Sequence, residues 1–388
     1  MISRNSFNGA FPLARLGDVV EFLDSKRRPV TESERRSGPY PYYGANGLQG
    51  TIDDYIFDEP LVLLAEDGGH FDEPERGIAY RISGRTWVNN HAHVLRPGPT
   101  VDLAFLCRVL ENYDVSPFVT GTTRGKLTQA GAAEIMIPLP PLSEQRKIAD
   151  VLDRAEGLRA KRRGALAELD TFTRSIFFDL FSDPALPEPS IGELLESGGL
   201  LLHKDGNHGS LYPRADDFGD EGIPFLSAKA VTDDGVIDDA LIEKLREEIA
   251  TKLTIGWISK GDVLLAHNAS VGKVALYDGR FERALIGTSL TAFRPNPEVL
   301  DSRYLAAALR SAKFQRQLEK NMGQTTRNQV PITAQRRLRI VEPPISLQRE
   351  FSHRVDAVEK LKASYRASLV ELDALFASLQ YRAFRGEL

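Results

Sequence analysis

The sequence is poor in the features that most often mark thiol chemistry or a membrane. It has one cysteine, Cys107, in 388 residues. A single thiol excludes an internal disulfide or a multi-cysteine metal site, and reads as a small core residue. No apolar run approaches the ~18 residues that span a bilayer, and the opening MISRNSFNGAFPLARLGDVV has no hydrophobic stretch suited to a signal peptide. The expectation is a cytoplasmic chain with no membrane segment. Neither sign of charge dominates, since 49 Lys and Arg face 54 Asp and Glu for a net charge of −5. That excludes a uniformly basic nucleic-acid coat, but not a cationic face. At 42% hydrophobic and 27% charged, the chain has apolar side chains enough for real cores, and its length suggests two or three domains.

Catalytic constellations are missing as well. Ala269-Ser270-Val271-Gly272-Lys273-Val274 ends like a phosphate loop, but His267 stands where the first glycine belongs and Val274 where a magnesium-binding hydroxyl belongs. Two Pro-Pro pairs echo an amino-methyltransferase motif, yet Leu139 and Glu342 precede them and Leu142 and Ile345 follow, with no aromatic to stack on a flipped base. No Gly-x-Gly-x-x-Gly follows a strand, and neither Glu-x-Lys nor His-Glu-x-x-His occurs. His91 and His93 could share one face of a strand, but no neighbouring cluster supplies further ligands, so they read as structural.

What the chain does have is an internal repeat. Residues 140–181 and 343–384 align without a gap: Pro140 on Pro343, Gln145 on Gln348, Asp153 on Asp356, Glu168-Leu169-Asp170 on Glu371-Leu372-Asp373 and Phe181 on Phe384, always 203 positions apart. Thr122-Thr123-Arg124 falls on Thr325-Thr326-Arg327 at the same offset, and Leu63-Leu64-Ala65 corresponds to Leu264-Leu265-Ala266 at a slightly smaller one. Each copy has a mixed part with short β-rich runs (LVLLA, TWVNNHAHVL, GDVLLA, KVALY) and then a proline-free helical part. Phe351, Val355, Val358, Tyr365, Leu369, Leu372, Phe376 and Leu379 recur with a coiled-coil period, Lys362 filling the vacant slot; Arg159, Arg162 and Thr173 take equivalent slots in the first copy. Ser143 and Ser346, just after the prolines, are expected as hydroxyl N-caps. A helix of some 39 residues would be about 58 Å long if straight. It carries the chain from one mixed domain to the next, and the second helix must run back antiparallel to bury its apolar face. A pseudo-two-fold arrangement with two separated heads follows.

The remaining chemistry suits recognition. Gly121–Lys126 and Gly323–Gln329 are polar loops, in which Thr122, Thr123, Arg124 and Lys126, and Thr325, Thr326, Arg327, Asn328 and Gln329, offer donors for phosphate oxygens and base edges. Either loop alone reads more readily as a surface turn; recurrence in both halves reverses that preference and favours a shared role. Tyr43 and Asn46 lie in PYYGANGLQG, which reads as a DNA-contacting segment or as a hairpin with buried tyrosines. Asn268, Ser270 and Lys273 follow a strand and could face DNA or close an ordinary turn, and Glu66-Asp67-Gly68 holds the equivalent place in the first half. Arg159–Arg163 puts positive charge on the first helix, where it is solvated or holds spacer phosphates.

Together these residues resemble the specificity subunits of type I restriction-modification systems, over essentially the whole chain. The resemblance rests on YPYYGANGLQGTIDDYIFD and LLAEDG, on GDVLLAHNASVGKVALY, on the two Thr-Thr-Arg triplets, on LPPLSEQRKIADVLD and on AFRGEL. It implies α/β (α+β) target-recognition domains in two pseudo-symmetric copies, at 1–139 and 184–342, joined by two long antiparallel coiled-coil helices at 140–183 and 343–388. It further implies a non-catalytic subunit whose two domains read the halves of a bipartite asymmetric double-stranded DNA target. Two modification subunits would dock on the helices, around Ser143, Gln145 and Arg146 and around Ser346, Gln348 and Arg349, with restriction subunits joining them. S-adenosylmethionine, ATP and Mg2+ would belong to those partners and no cofactor to this chain. The second helix has Leu347 where the first has Glu144, so the docking sites are expected to be unequal, and the two recognition domains differ enough to imply different half-sites. A self-contained methyltransferase or nuclease, and a coiled-coil scaffold without DNA specificity, are the competing classes.

Overall fold

The computed structural model describes Phe7 and residues 11–73, 76–121, 125–209, 212–322 and 328–388. They form two units, Met1–Ala165 with Tyr365–Leu388, and Leu166–Ser364.

The first unit contains β1 (Leu13–Arg15), β2 (Val20–Phe22), β3 (Tyr40–Gly44), β4 (Gly47–Ile52), β5 (Phe57–Asp58), β6 (Leu61–Ala65), β7 (Ala79–Ile82), β8 (Arg85–Val88), β9 (Ala92–Pro97), β10 (Val119–Thr120), β11 (Lys126–Leu127) and β12 (Met136–Pro138), with short helices α1 (Leu16–Val19), α2 (Leu103–Leu110) and α3 (Gln129–Ala133). Its main sheets have the orders β2-β9-β6-β7 and β4-β3-β8-β5, and two-stranded pairings join β1 to β12 and β10 to β11. The run LVLLA shows no polar alternation because β6 is covered on both faces. Val62 and Leu64 enter a core with Phe105, Leu106 and Val109 of α2, whereas Leu61 and Leu63 join Phe57 and Val88. Cys107 sits in the first of these cores, and burial pushes its thiol up to about 12, as befits an inert packing residue.

The second unit repeats this plan with β13 (Leu200–Asp205), β14 (Phe218–Gly219), β15 (Ile223–Leu226), β16 (Glu243–Leu245), β17 (Trp257–Ile258), β18 (Val263–Ala266), β19 (Val274–Leu276), β20 (Ala284–Ile286) and β21 (Leu290–Pro295). Sheet β13-β21-β18-β19 matches β2-β9-β6-β7 strand for strand, and the second sheet, β14-β16-β15-β20-β17, has five strands in place of four. Strand β18 again divides its side chains, Val263 and Leu265 to one core, Leu264 and Ala266 to the other. Asp301 caps the helix Ser302–Arg310 through the amides of Arg303 and Tyr304, as Asp102 caps α2 through those of Ala104 and Phe105.

The long helices are α4 (Leu142–Phe181), which precedes α5 (Ile191–Glu196), α6 (Glu247–Ala250), α7 (Ser302–Arg310), α8 (Ala312–Asn321) and α9 (Ile332–Gln335), and α10 (Ile345–Ala383). Within the first unit the start of α4 meets the end of α10: Ile148 and Leu152 share a core with Phe376 and Phe384. Within the second, the end of α4 meets the start of α10, Phe177 and Phe181 lying 5.7 and 5.5 Å from the ring of Phe351. The pairing is therefore antiparallel in each. The polar seam positions are matched by equivalent triads. Arg159 binds Glu156 of its own helix and Asp373 of the other, and Lys362 binds Glu359 of its own helix and Asp170 of the other. All three members recur 203 positions apart. Arg162 lies 4.2 Å from the centre of the Tyr365 ring, a cation–π contact in place of an aliphatic layer.

The expected serine caps are corrected. Both helices begin two residues earlier than serine caps would place them, and Pro141 accepts from the amides of Glu144 and Gln145 at 2.8 and 3.0 Å, leaving Ser143 and Ser346 exposed in the first turn. Proline needs no partner for an absent N–H and suits helix entry, so the helix starts directly after it.

Candidate nucleic-acid interface

In the first unit the fold gathers three of the segments singled out by sequence. Glu66, just beyond β6, donates its amide to the His91 carbonyl at 2.9 Å and accepts from the Leu127 amide at 2.7 Å, and Asp67 bridges to Lys126. Strand β11 is thus laid across the end of β6. PYYGANGLQG is the β3–β4 hairpin, with Tyr42 buried and Tyr43 half-buried, and Asn46 from its turn donates to the Gly68 carbonyl at 2.9 Å. Tyr43, Asn46, Glu66-Asp67-Gly68 and Lys126 therefore belong to one loop cluster.

The second unit carries the same wiring with other side chains. His267 donates its amide to the Ser289 carbonyl at 3.0 Å and accepts from the Val330 amide at 2.9 Å, while Asn268 bridges to Gln329. The Ala269 amide reaches the Asn328 carbonyl at 3.3 Å. Asn268, Ser270, Asn328 and Gln329 consequently form one group. Ala269 has φ +63, the one left-handed non-glycine residue among those described, a conformation costing on the order of 1–2 kcal/mol that a tight functional loop can hold. Lys273 reaches Asp233 at 3.0 Å, a surface pair. Thr122, Thr123, Arg124, Thr325, Thr326 and Arg327 lie outside the described residues.

Beneath each cluster lies a buried polar network, and here the units differ. In the first it is ionic: Arg27 binds Glu66 at 2.6 Å and the Ala92 carbonyl at 2.7 Å, Lys126 approaches Glu66 at 3.0 Å, and His93 binds Asp24 at 2.6 Å. Burial opposes the Glu66 carboxylate, but its bonds from Arg27 and Lys126 outweigh that and hold the carboxyl below its usual range. In the second the network is neutral, linking His267 to Thr291 at 2.9 Å, Thr291 to Gln335 at 3.0 Å and Gln335 to His203 at 3.1 Å. Burial pushes His203 down to about 4 and lowers His267 too, so both stay uncharged at neutral pH.

The expectation that nothing ligand-like surrounds His93 is corrected. Asp24, Glu66 and His93 place ligand atoms within 4.8 Å of one another, because neighbouring strands converge residues far apart in sequence. Arg27 and Lys126 already neutralise these carboxylates, so the cluster is complete as an ion-pair network. His91 lies in the turn before β9 and pairs with Asp67. Beside the cluster opens a polar cleft of about 460 Å³ walled by Lys26, Arg28, Asp54, Tyr55 and Trp87. Arg27 turns inward, and its flanking Lys26 and Arg28 are exposed and in no ion pair among the described residues.

On the helices, Ser143, Arg146, Ser346 and Arg349 are exposed. Gln145 and Gln348 are not: both are fully buried, which corrects their expected partner-facing role. Gln145 accepts from the Asp102 amide at 2.7 Å and donates to the Thr100 and Pro140 carbonyls at 2.9 and 2.8 Å. Gln348 makes the equivalent bonds to Asp301, Val299 and Pro343. Their recurrence reflects a brace between helix and domain. The sequence reading missed a set of exposed apolar side chains outside the seam: Leu158, Phe172 and Phe178 on α4, and Leu361, Leu375 and Tyr381 on α10. Each pair is 203 positions apart, a signal legible once the seam positions are set aside.

The chain is a duplicated mixed module, each copy followed by a long helix, and comparison with known families places it. The type I restriction modification DNA specificity domain matches residues 11–168 and 207–372, and the chain belongs to this family. It is similar to the type I restriction enzyme specificity subunit S.HindORF215P of Haemophilus influenzae, 27% identical over 314 residues that cover 77% of this chain and 76% of that protein. It is also similar to the type I restriction enzyme MjaVIII specificity subunit of Methanocaldococcus jannaschii, 22% identical over 375 residues, 90% and 86% of the two chains. The crystal structure of a type I restriction-modification S subunit from M. genitalium superposes with a TM-score of 0.60 at 15% identity, covering 99% of this chain and 98% of that one, a likeness of fold. Among the described residues no helix is long and apolar enough to cross a membrane.

Proposed function

We propose that this specificity subunit reads a bipartite, asymmetric double-stranded DNA target, one half with each loop cluster, and itself performs no chemistry. The observation that carries this is the shared wiring with different contents. Equivalent backbone bonds present Asp67 and Lys126 in one unit and Asn268 and Gln329 in the other, above the buried Glu66 and His267. A common frame with different donors and acceptors is what two distinct base sequences require. Lys26 and Arg28, outward and unpaired, serve as backbone phosphate contacts beside the first cluster.

The long helices act as spacer and as docking surface for two modification subunits. The exposed apolar sets support this: the first unit offers Leu158, Leu375 and Tyr381, and the second their counterparts Leu361, Phe172 and Phe178. Repeated sets suit two copies of one partner. The modification subunits bring S-adenosylmethionine and methylate adenine, and restriction subunits bring ATP- and Mg2+-dependent cleavage. The test is to reconstitute the chain with its modification subunit and sequence the methylated products of a randomised DNA library. Two short specified blocks separated by a gap of fixed length are expected. One contiguous block, or methylation by the isolated chain, would overturn the proposal.

A further inference from the structure

The residue that closes each recognition loop is held twice. Leu127 and Val330 are fully buried, and each donates its amide to the carbonyl of the residue just beyond the central strand, Glu66 or His267. The carbonyl of each is also held, by a buried side chain brought from elsewhere. In the first unit this is His93, whose Nε2 lies 2.8 Å from the Leu127 carbonyl while its Nδ1 meets Asp24. In the second it is Gln335, whose amide donates to the Val330 carbonyl at 2.9 Å and to the Thr291 hydroxyl at 3.0 Å.

The two holders arise from different elements and different chemistry. His93 belongs to β9 and stands in the ionic network, its two ring nitrogens facing the Asp24 carboxylate and the Leu127 carbonyl. Gln335 ends α9 and stands in the neutral network. There, His203 donates to the Gln335 side-chain oxygen through Nε2 and leaves Nδ1 without a partner, and the Thr291 hydroxyl accepts from Gln335 and donates to His267. Each carbonyl, buried with its residue, needs a donor of its own, and in both units that donor is a side chain anchored in the network beneath the loop and not another backbone amide.

We infer that His93 and Gln335 are positioning residues for DNA recognition: by fixing the carbonyls of Leu127 and Val330 they set where Lys126, and Asn328 and Gln329, stand, and so which bases each half-site accepts. The inference rests on the reading that the loop clusters face DNA. Neither residue touches DNA; each acts through one backbone carbonyl. Losing the hold lets the preceding residues shift, and a bidentate base contact tolerates little displacement.

The test uses the full chain assembled with its modification subunit and methylation of libraries randomised in one half-site at a time. Gln335→Met keeps the length of the side chain and removes its donors. It should relax base preference in the second half-site about tenfold and leave the first unchanged. His93→Phe should do the converse, while His93→Gln, which keeps a donor near the Leu127 carbonyl, should retain the preference. Thr291→Val supplies a milder lesion should Gln335→Met fail to fold. A purely structural role would lower melting temperature and leave base preference unchanged for both His93 variants, and that outcome overturns the inference. Asn328→Ala with Gln329→Ala separates the two levels. If that pair leaves preference untouched, the loops do not face DNA and the functional reading itself falls; if it alters preference while Gln335→Met and Thr291→Val do not, only the positioning inference falls.

Discussion

Removing the exposed aromatics of one helix set should strip one modification subunit from the complex and leave the other in place. Phe172 and Phe178 are 56% and 68% exposed in the second unit. A fully buried phenylalanine contributes about 1.5–3 kcal/mol, so covering the exposed part of each is worth about 1–2 kcal/mol. Phe172→Ala with Phe178→Ala should then weaken docking on that set by about 2–4 kcal/mol, or roughly 30- to 1000-fold in Kd. Alanine is the best helix former and neither ring is in the seam, so the free subunit should melt within about a degree or two of wild type. Native mass spectrometry across a titration of modification subunit reads the outcome as a shift from two bound copies to one. Leu375→Ala with Tyr381→Ala should produce the same loss at the other set, and the four-fold variant should bind neither copy. Two copies still bound with unchanged affinity, in a folded variant, would refute the assignment of these side chains to docking.

Three further outcomes follow from the geometry. His203 binds protons less readily when folded, about 4 against 6.5, so the unfolded chain takes up a proton first as pH falls. Its contribution is complete above pH 6.5 and is lost between 6.5 and 4, on the order of 3 kcal/mol; melting temperature against pH should show this loss, and His203→Leu should flatten it. Lys26→Ala with Arg28→Ala should reduce the slope of log affinity against log salt by about two while leaving base preference intact, measured by binding at several salt concentrations. Replacing Lys362, buried between Asp170 and Glu359, with Met should leave thermal stability equal or slightly raised, because both carboxylates are partly exposed and can return to water; calorimetry checks the sign.

The repeat and its helices were legible because identical spacing survives divergence and the seam has its own period. LVLLA and VLLA were legible as β-rich runs, while the division of their side chains between two cores emerged only with the fold. What escaped depends on residues distant in sequence. Asp24, Arg27, Glu66 and His93 become one network only when β2, β9 and β6 are aligned, and nothing local to His93 announces its partners. Gln145 and Gln348 recur, but recurrence does not distinguish a brace from a contact; only the direction of the side chain does, inward to the amides of Asp102 and Asp301. The serine caps failed for a local reason, since a proline two residues earlier already satisfies helix entry. Leu158, Phe172 and Phe178 were passed over because apolar residues off the seam look like ordinary surface until their counterparts on α10 are set beside them.

The central claim, that each unit reads its own half of the target, is tested most directly by methylation sequencing of a fully randomised library with the Asn268→Ala, Gln329→Ala double variant assembled with its modification subunit. The expected result is loss of base preference, about 1–3 kcal/mol per lost base contact, within one of two blocks, the other block and the gap between them matching wild type. Equal loss in both blocks, or an unchanged pair of blocks, would contradict the claim.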